Sequence, residues 1–178
     1  YDIIYRASHL PYWFGSQGQL KHQIGDVVAA RAGARGLRCN ISTRPEDTIL
    51  GDAWLDFLAS GRVVIGCESG ASVLDRRGDI KARLRVMLAE NPALTFAQAR
   101  ERLTPGWDDH RFFALSPRHF EAIMVKTCQV LVEGAYDGVL EPDKHYIPLK
   151  RDLSNRDEVI TKIQDQDRVT AIAERVYQ

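Results

Sequence analysis

The stretch SPRHFEAIMVKTCQVLVE, residues 116–133, decides the fold class because it places a short helix directly before a buried strand. Ser116 is a suitable helix cap, and Pro117 suits the first helical position. Residues 129–133 have an uninterrupted apolar centre, which is typical of a parallel strand buried on both faces. A helix that leads into such a strand is the repeating unit of an α/β domain.

The same alternation of strands and helices extends outward over most of the chain. Further strands are predicted at residues 2–6, 37–42, 62–66 and 146–149. Helices are predicted from Gln19 to about Gly36, at 52–60, after Asn155, and at the end of the chain. Asn155 and Glu158 are expected to form a capping box at the start of the third of these. We therefore expect a Rossmann-like α/β domain, with a mainly parallel sheet of about five strands flanked by helices on both faces.

Residues 76–109 interrupt this rhythm. They are rich in charge, and Asn91-Pro92 and Pro105-Gly106 bound two predicted helices. The stretch is too short for a core of its own. We therefore interpret residues 1–178 as a single domain that carries a helical insertion at about 76–109.

Composition excludes several classes of protein. Twenty-four basic residues balance twenty-four acidic ones, so the chain is not expected to bind nucleic acid. No apolar run approaches the roughly 20 residues of a transmembrane helix. Three widely spaced cysteines and five histidines show neither a disulfide framework nor metal-ligand spacing, which favours a cytoplasmic protein. The chain enters an apolar run soon after Tyr1, so we expect it to be part of a longer protein.

Ligands of parallel α/β sheets bind outside the carboxyl ends of the strands. That rule selects the loops after Arg6 and Ser42, residues 67–72 and residues 133–137. In the third loop Ser69 can donate a hydrogen bond and Gly70 allows close approach of the backbone, and Gly134 opens the fourth loop. A simple tight turn at residues 67–72 is an equally good interpretation.

Basic and acidic residues near these loops are candidates for binding a nucleotide. Arg118 can grip a phosphate at a helix N-terminus, and Glu121 can accept two hydrogen bonds from a ribose. Alternatively, the two form an ordinary i,i+3 surface pair. Arg6 and Lys21 can neutralise a diphosphate, although two solvated basic residues are the commoner case.

Three segments carry a resemblance to a known family: residues 4–25 (IYRASHLPYWFGSQGQLKHQIG), residues 63–80 (VVIGCESGASVLDRRGDI) and residues 116–160, which begin SPRHFEA. Together they resemble the C-terminal, donor-binding half of bacterial GT-B glycosyltransferases. The similarity is strongest to glycosyltransferase-like proteins of polysaccharide gene clusters and to spore-maturation-type relatives. It covers most of the chain apart from the middle insertion.

The resemblance implies a role for particular residues. Glu121 matches the glutamate that holds the donor ribose, and Arg6 and Lys21 resemble the pair that grips the donor diphosphate. Glu68 matches the catalytic-site glutamate that faces the donor sugar in the retaining-type Glu-x7-Glu motif. The chain departs from that motif because Phe113, not Glu, stands eight residues before Glu121. If Glu68 fills the role, the insertion splits the motif.

The implied activity is hexosyl transfer in bacterial surface polysaccharide synthesis. The donor would be a nucleotide-diphosphate sugar, with no metal or other cofactor. A sugar or lipid-linked acceptor would bind through an N-terminal domain outside this chain, so the fragment alone is expected to be inactive. Two alternatives remain open: a nucleotide-sugar epimerase of the same architecture, and a non-catalytic interaction domain that retains the fold.

Overall fold

A five-stranded parallel sheet forms the centre of the computed structural model, which describes residues 1–178. The strands in chain order are β1 (Ile3–Arg6), β2 (Cys39–Ser42), β3 (Val63–Gly66), β4 (Ser69–Ala71), β5 (Phe112–Ala114), β6 (Cys128–Val132) and β7 (Ile147–Leu149). The main sheet has the order β2-β1-β3-β6-β7, and all its neighbours are parallel. The predicted α/β class and Rossmann-like architecture are therefore confirmed.

Helices cover both faces of the sheet. They are α1 (Gly15–Ala34), α2 (Asp52–Ala59), α3 (Asp79–Glu90), α4 (Phe96–Glu101), α5 (Pro117–Met124), α6 (Arg156–Gln164) and α7 (Gln166–Tyr177). Apolar residues of α1, α6 and α7 pack with Ile3, Ile65 and Val130 on one face. Those of α2 and α5 pack with Ile4 and Val64 on the other. Because successive residues of a strand point to opposite faces, the fully apolar strands seen in the sequence fill both layers.

The strand order creates a point where the chain changes direction. From β1 the chain moves outward to β2, and it then crosses back to β3 on the other side of β1. The connections that leave β1 and β3 therefore diverge, which opens a crevice at their carboxyl ends. Doubly wound sheets bind their ligands at such a switch point.

The insertion leaves the sheet through a small antiparallel ribbon formed by β4 and β5, in which Ser69 pairs with Ala114. The predicted helices are present in it as α3 and α4. Six buried residues form a separate small core: Val73, Leu84, Leu94, Ala99, Leu103 and Trp107. Tyr12 and Trp13 of the main unit pack against that core, so the insertion is completed by the rest of the domain.

A buried carboxylate anchors this insertion to the main unit. Asp108 is 4% exposed and accepts hydrogen bonds from the Ser16 amide, at 2.8 Å, and from the Ser72 hydroxyl. Arg100 lies 3.6 Å from its other oxygen. Since Ser16 lies in the first turn of α1, the negative charge also interacts favourably with the helix dipole.

Three local predictions were wrong. The helix α1 begins at Gly15, four residues before the predicted Gln19, because Asp108 binds its first turn. The expected loop at residues 67–72 contains β4, a strand too short to show a periodic pattern. The Asn155–Glu158 capping box is absent: Asn155 instead accepts from the Lys150 amide and donates to the Pro148 carbonyl.

Candidate functional site

A cavity of about 260 Å³ lies at the switch point, between the carboxyl ends of β1 and β3 and beside the first turn of α5. Its volume is close to the lower end of the range of about 300–1,000 Å³ for small-molecule sites. The lining residues include three cations, Arg6, Lys21 and Arg118, and no carboxylate. The composition of the wall therefore favours an anionic ligand.

Arg6 lines the cavity, but its guanidinium turns toward β2 and the segment after it. The group donates to the backbone carbonyls of Tyr5, Asn40 and Asp47 and to the side chain of Asn40, at 2.7–3.2 Å. It also stacks over Phe57, 4.5 Å from the ring centroid. Burial lowers the pKa of Arg6, and Asp47 partly opposes this. The protein itself thus occupies most of the donors that a diphosphate would need.

Lys21 and Arg118 are better placed to meet an anion. Lys21 extends from α1 and forms no salt bridge. Arg118 is exposed and donates to the Arg6 carbonyl at 3.0 Å. Its charge has no carboxylate partner, so one face of the cavity carries two cations that a ligand can neutralise.

The helix α5 adds its N-terminus to this positive wall. Pro117 occupies the first helical position as predicted, but Ser116 makes no side-chain capping bond. Ser116, Arg118 and His119 all line the cavity. An uncapped first turn with its dipole directed at a cationic cavity is a favourable anion site.

Arg118 and Glu121 do not form the alternative i,i+3 pair. Both instead bind Trp54 of α2: the guanidinium lies 4.8 Å from the centroid of the indole ring. The indole N–H donates to Oε2 of Glu121 at 2.7 Å. Trp54 lines the cavity, while Glu121 lies immediately behind it and is half-buried.

The two small residues of the segment 67–72, Ser69 and Gly70, both lie in β4 but have different surroundings. Ser69 lines the cavity, and its hydroxyl donates to the Ala114 carbonyl at 3.2 Å. Gly70 pairs with Phe113 in the ribbon and has φ of +108°. A side chain at Gly70 would collide with the Phe112 carbonyl. Gly70 therefore allows the β4–β5 ribbon to form and does not line the cavity.

Glu68 and Gly134 contact each other outside the cavity lining. Oε1 of Glu68 accepts from the amides of Ala135 and Tyr136, each at 3.1 Å. The carboxylate lies where a side chain at position 134 would stand, so glycine is needed there. This arrangement fastens the loop after β3 to the loop after β6. In this structure the carboxylate of Glu68 binds backbone amides of the loop after β6 and does not line the cavity.

Three polar residues without a fixed charge partner, His119, Gln129 and Cys67, also line the cavity. His119 is 3% exposed, and its Nδ1 is 2.9 Å from Oε1 of Gln129. Because the Gln129 amide nitrogen donates to the His119 carbonyl, the oxygen accepts from the imidazole, which fixes the Nδ1–H tautomer. Burial lowers the pKa of His119, although Gln129 partly opposes this. Burial raises the pKa of the nearby Cys67 thiol to about 11.

Two residues at this edge were not identified from the sequence. The sequence alone places Trp54 only on the apolar side of the helix predicted at residues 52–60. Arg151, just after β7, donates to the side chain of Gln17 at 2.8 Å and stacks on Phe113. Gln17 in turn donates to the Glu68 carbonyl. The position of Arg151 after a strand was the only available signal, since its partners are distant in sequence.

No protein-family model matches the chain, and a search of curated proteins finds no match. No group of three or more His, Cys, Asp or Glu side chains is arranged to hold a metal ion. None of the helices combines the length and apolarity required to cross a membrane. The site offers two available cations, a helix N-terminus, and an indole backed by a carboxylate.

Proposed function

We propose that this cavity binds the diphosphate of a nucleotide-diphosphate sugar, and that the chain is the donor domain of a glycosyltransferase. The observation that carries the proposal is the cationic lining, without any carboxylate, at the switch point of a doubly wound sheet. The resemblance to bacterial GT-B enzymes gives the reaction class and its cytoplasmic setting in surface polysaccharide synthesis.

The diphosphate is assigned to Lys21, Arg118 and the first turn of α5. Trp54 and Glu121 are assigned to the nucleoside. Only one oxygen of Glu121 is engaged by the indole, so Oε1 can accept from a ribose hydroxyl. Arg6 is assigned to positioning, because its backbone carbonyl holds Arg118 while its guanidinium joins β1 to β2.

This arrangement suits departure of a nucleoside diphosphate. As the glycosidic bond breaks, negative charge grows on the leaving phosphate oxygen. Preorganised cations and helix N–H groups stabilise that charge more than they stabilise the intact donor. The acceptor, and any base that activates it, are assigned to a second domain that closes over the cavity.

Isothermal titration calorimetry tests the proposal. The chain should bind UDP, GDP, ADP or dTDP more tightly than the corresponding nucleoside, and Arg118→Ala should remove most of that preference. Arg35→Ala is the matched control, since Arg35 is exposed and lies at the far end of α1. No binding of any nucleotide would favour a non-catalytic interaction domain. Reversible conversion of a nucleotide sugar without an acceptor would favour an epimerase.

A further inference from the structure

The insertion carries a concentrated positive charge. Residues 76–85, RRGDIKARLR, contain five basic residues and one acidic residue, whereas the whole chain has a net charge of zero. The basic residues are all exposed: Arg76, Arg77, Lys81, Arg83 and Arg85. Asp75, the nearest acid before them, is engaged by the amides of Ile80 and Lys81 at the start of α3. None of these five cations forms a salt bridge within the fold, although the Arg83 guanidinium donates to the Arg102 carbonyl at 3.4 Å.

A strip of apolar residues lies among these cations. Ala82, Val86 and Ala89 recur at helical spacing, so they share one face of α3, and all three are exposed. Val86 is 56% exposed. The opposite face of the same helix packs into the small core through Leu84. The exposed apolar strip therefore takes no part in the packing of α3 against the core of the insertion.

Cations flank this outward strip. Lys81 and Arg85 lie along one side of it, with Arg83 on the other. Lys81 and Arg85 also stack over Trp13, each 5.4 Å from the ring centroid, which holds their charges next to the strip. Leu74, 40% exposed, precedes this basic segment.

We propose that α3 and the residues before it form a docking surface for an anionic lipid bilayer. Apolar side chains flanked by lysine and arginine are suited to the boundary between lipid headgroups and acyl chains. A nucleic-acid backbone would use the cations but would leave the strip formed by Ala82, Val86 and Ala89 without a partner. The proposal is independent of the assignment of the cavity.

Vesicle sedimentation tests this surface. The protein should sediment with vesicles of phosphatidylcholine that contain a minority of phosphatidylglycerol, and not with phosphatidylcholine alone. Added salt should weaken binding, since the attraction is screened. Each cation at an anionic surface contributes roughly fivefold to partitioning, so Lys81→Gln/Arg85→Gln should reduce binding more than tenfold.

Two further variants complete the test. Val86→Asp should also weaken binding, because the strip must enter the interface. Arg35→Gln/Arg175→Gln removes the same charge from exposed positions outside the insertion and should leave binding unchanged. Circular dichroism confirms that each variant is folded. Equal binding to both vesicle types, binding to neither, equal loss in the control, or binding to a DNA duplex in place of vesicles would overturn the proposal.

Discussion

The indole N–H of Trp54 donates to the carboxylate of Glu121 at 2.7 Å, which joins α2 to α5 at the rim of the cavity. Arg118 stacks on the same indole. Trp54 therefore sets the position of two of the three charged residues that we assign to the nucleotide, Arg118 and Glu121. A change at the indole should reach the ligand through both.

Trp54→Phe should weaken nucleoside diphosphate binding by about 1–3 kcal/mol, because it removes the donor that orients Glu121. Glu121→Ala should weaken binding to a similar degree through loss of the ribose acceptor. Calorimetric affinities give both values. Glu90→Ala, an exposed acid at the end of α3, is the control and should bind as the parent does. Unchanged affinity in both Trp54→Phe and Glu121→Ala would contradict the assignment of these residues to the nucleoside.

Lys21→Ala and Arg118→Ala should weaken the binding of nucleoside diphosphates more than the binding of nucleosides, since both side chains have charge available to the cavity.

Arg6→Ala should act mainly on the stability of the fold. It removes the donors to Asn40 and Asp47, at an expected cost of about 1–3 kcal/mol in free energy of unfolding. Urea denaturation and calorimetry separate the two effects. If Arg6→Ala leaves the free energy of unfolding unchanged and weakens only diphosphate binding, the positioning role is wrong and the Arg6 guanidinium contacts the ligand directly.

Gly15→Ala should destabilise the protein and loosen the insertion. Gly15 has φ of +70°, and an added side chain would collide with Asp108 and Ser72. Gly51→Ala is a matched control, because Gly51 has φ of +63° and ψ of −147°, close to the +70° and −163° of Gly15, but open space around it. It isolates the backbone cost, roughly 1–3 kcal/mol. Equal urea midpoints for the two variants would show that the contact with Asp108 does not hold the insertion.

Stability should fall as the pH falls below about 6.5, the ordinary pKa of histidine. Burial lowers the pKa of His22 and of His119 in the folded protein. The unfolded chain therefore binds more protons in this window, so acid favours unfolding. The contribution is complete above the unfolded pKa and is lost toward the folded one. His119→Gln should flatten the dependence of the urea midpoint on pH between neutral and mildly acidic conditions, and an unchanged slope would contradict this.

The sequence predicts the sheet well because β1, β3 and β6 are buried on both faces and leave apolar runs. It also identifies Lys21 and Arg118 as candidate phosphate-binding residues, and both line the cavity. It does not predict the direction of the Arg6 guanidinium, which depends on acceptors supplied by β2. The Trp54–Glu121 bond joins residues 67 positions apart. Such contacts follow from the packing of one helix against another, and a local pattern of residues does not show which helices will pack together.

The most direct test of the central claim is an NMR titration of the chain with a nucleoside diphosphate, followed through assigned backbone amides. The account predicts saturable shifts at Ser8, Gly66, Ser69 and Arg118, which surround the cavity, and the indole signal of Trp54 should move with them. The corresponding nucleoside should leave Arg118 largely unmoved. Absence of any shift at saturating ligand, or shifts confined to residues outside the switch point, would contradict the account.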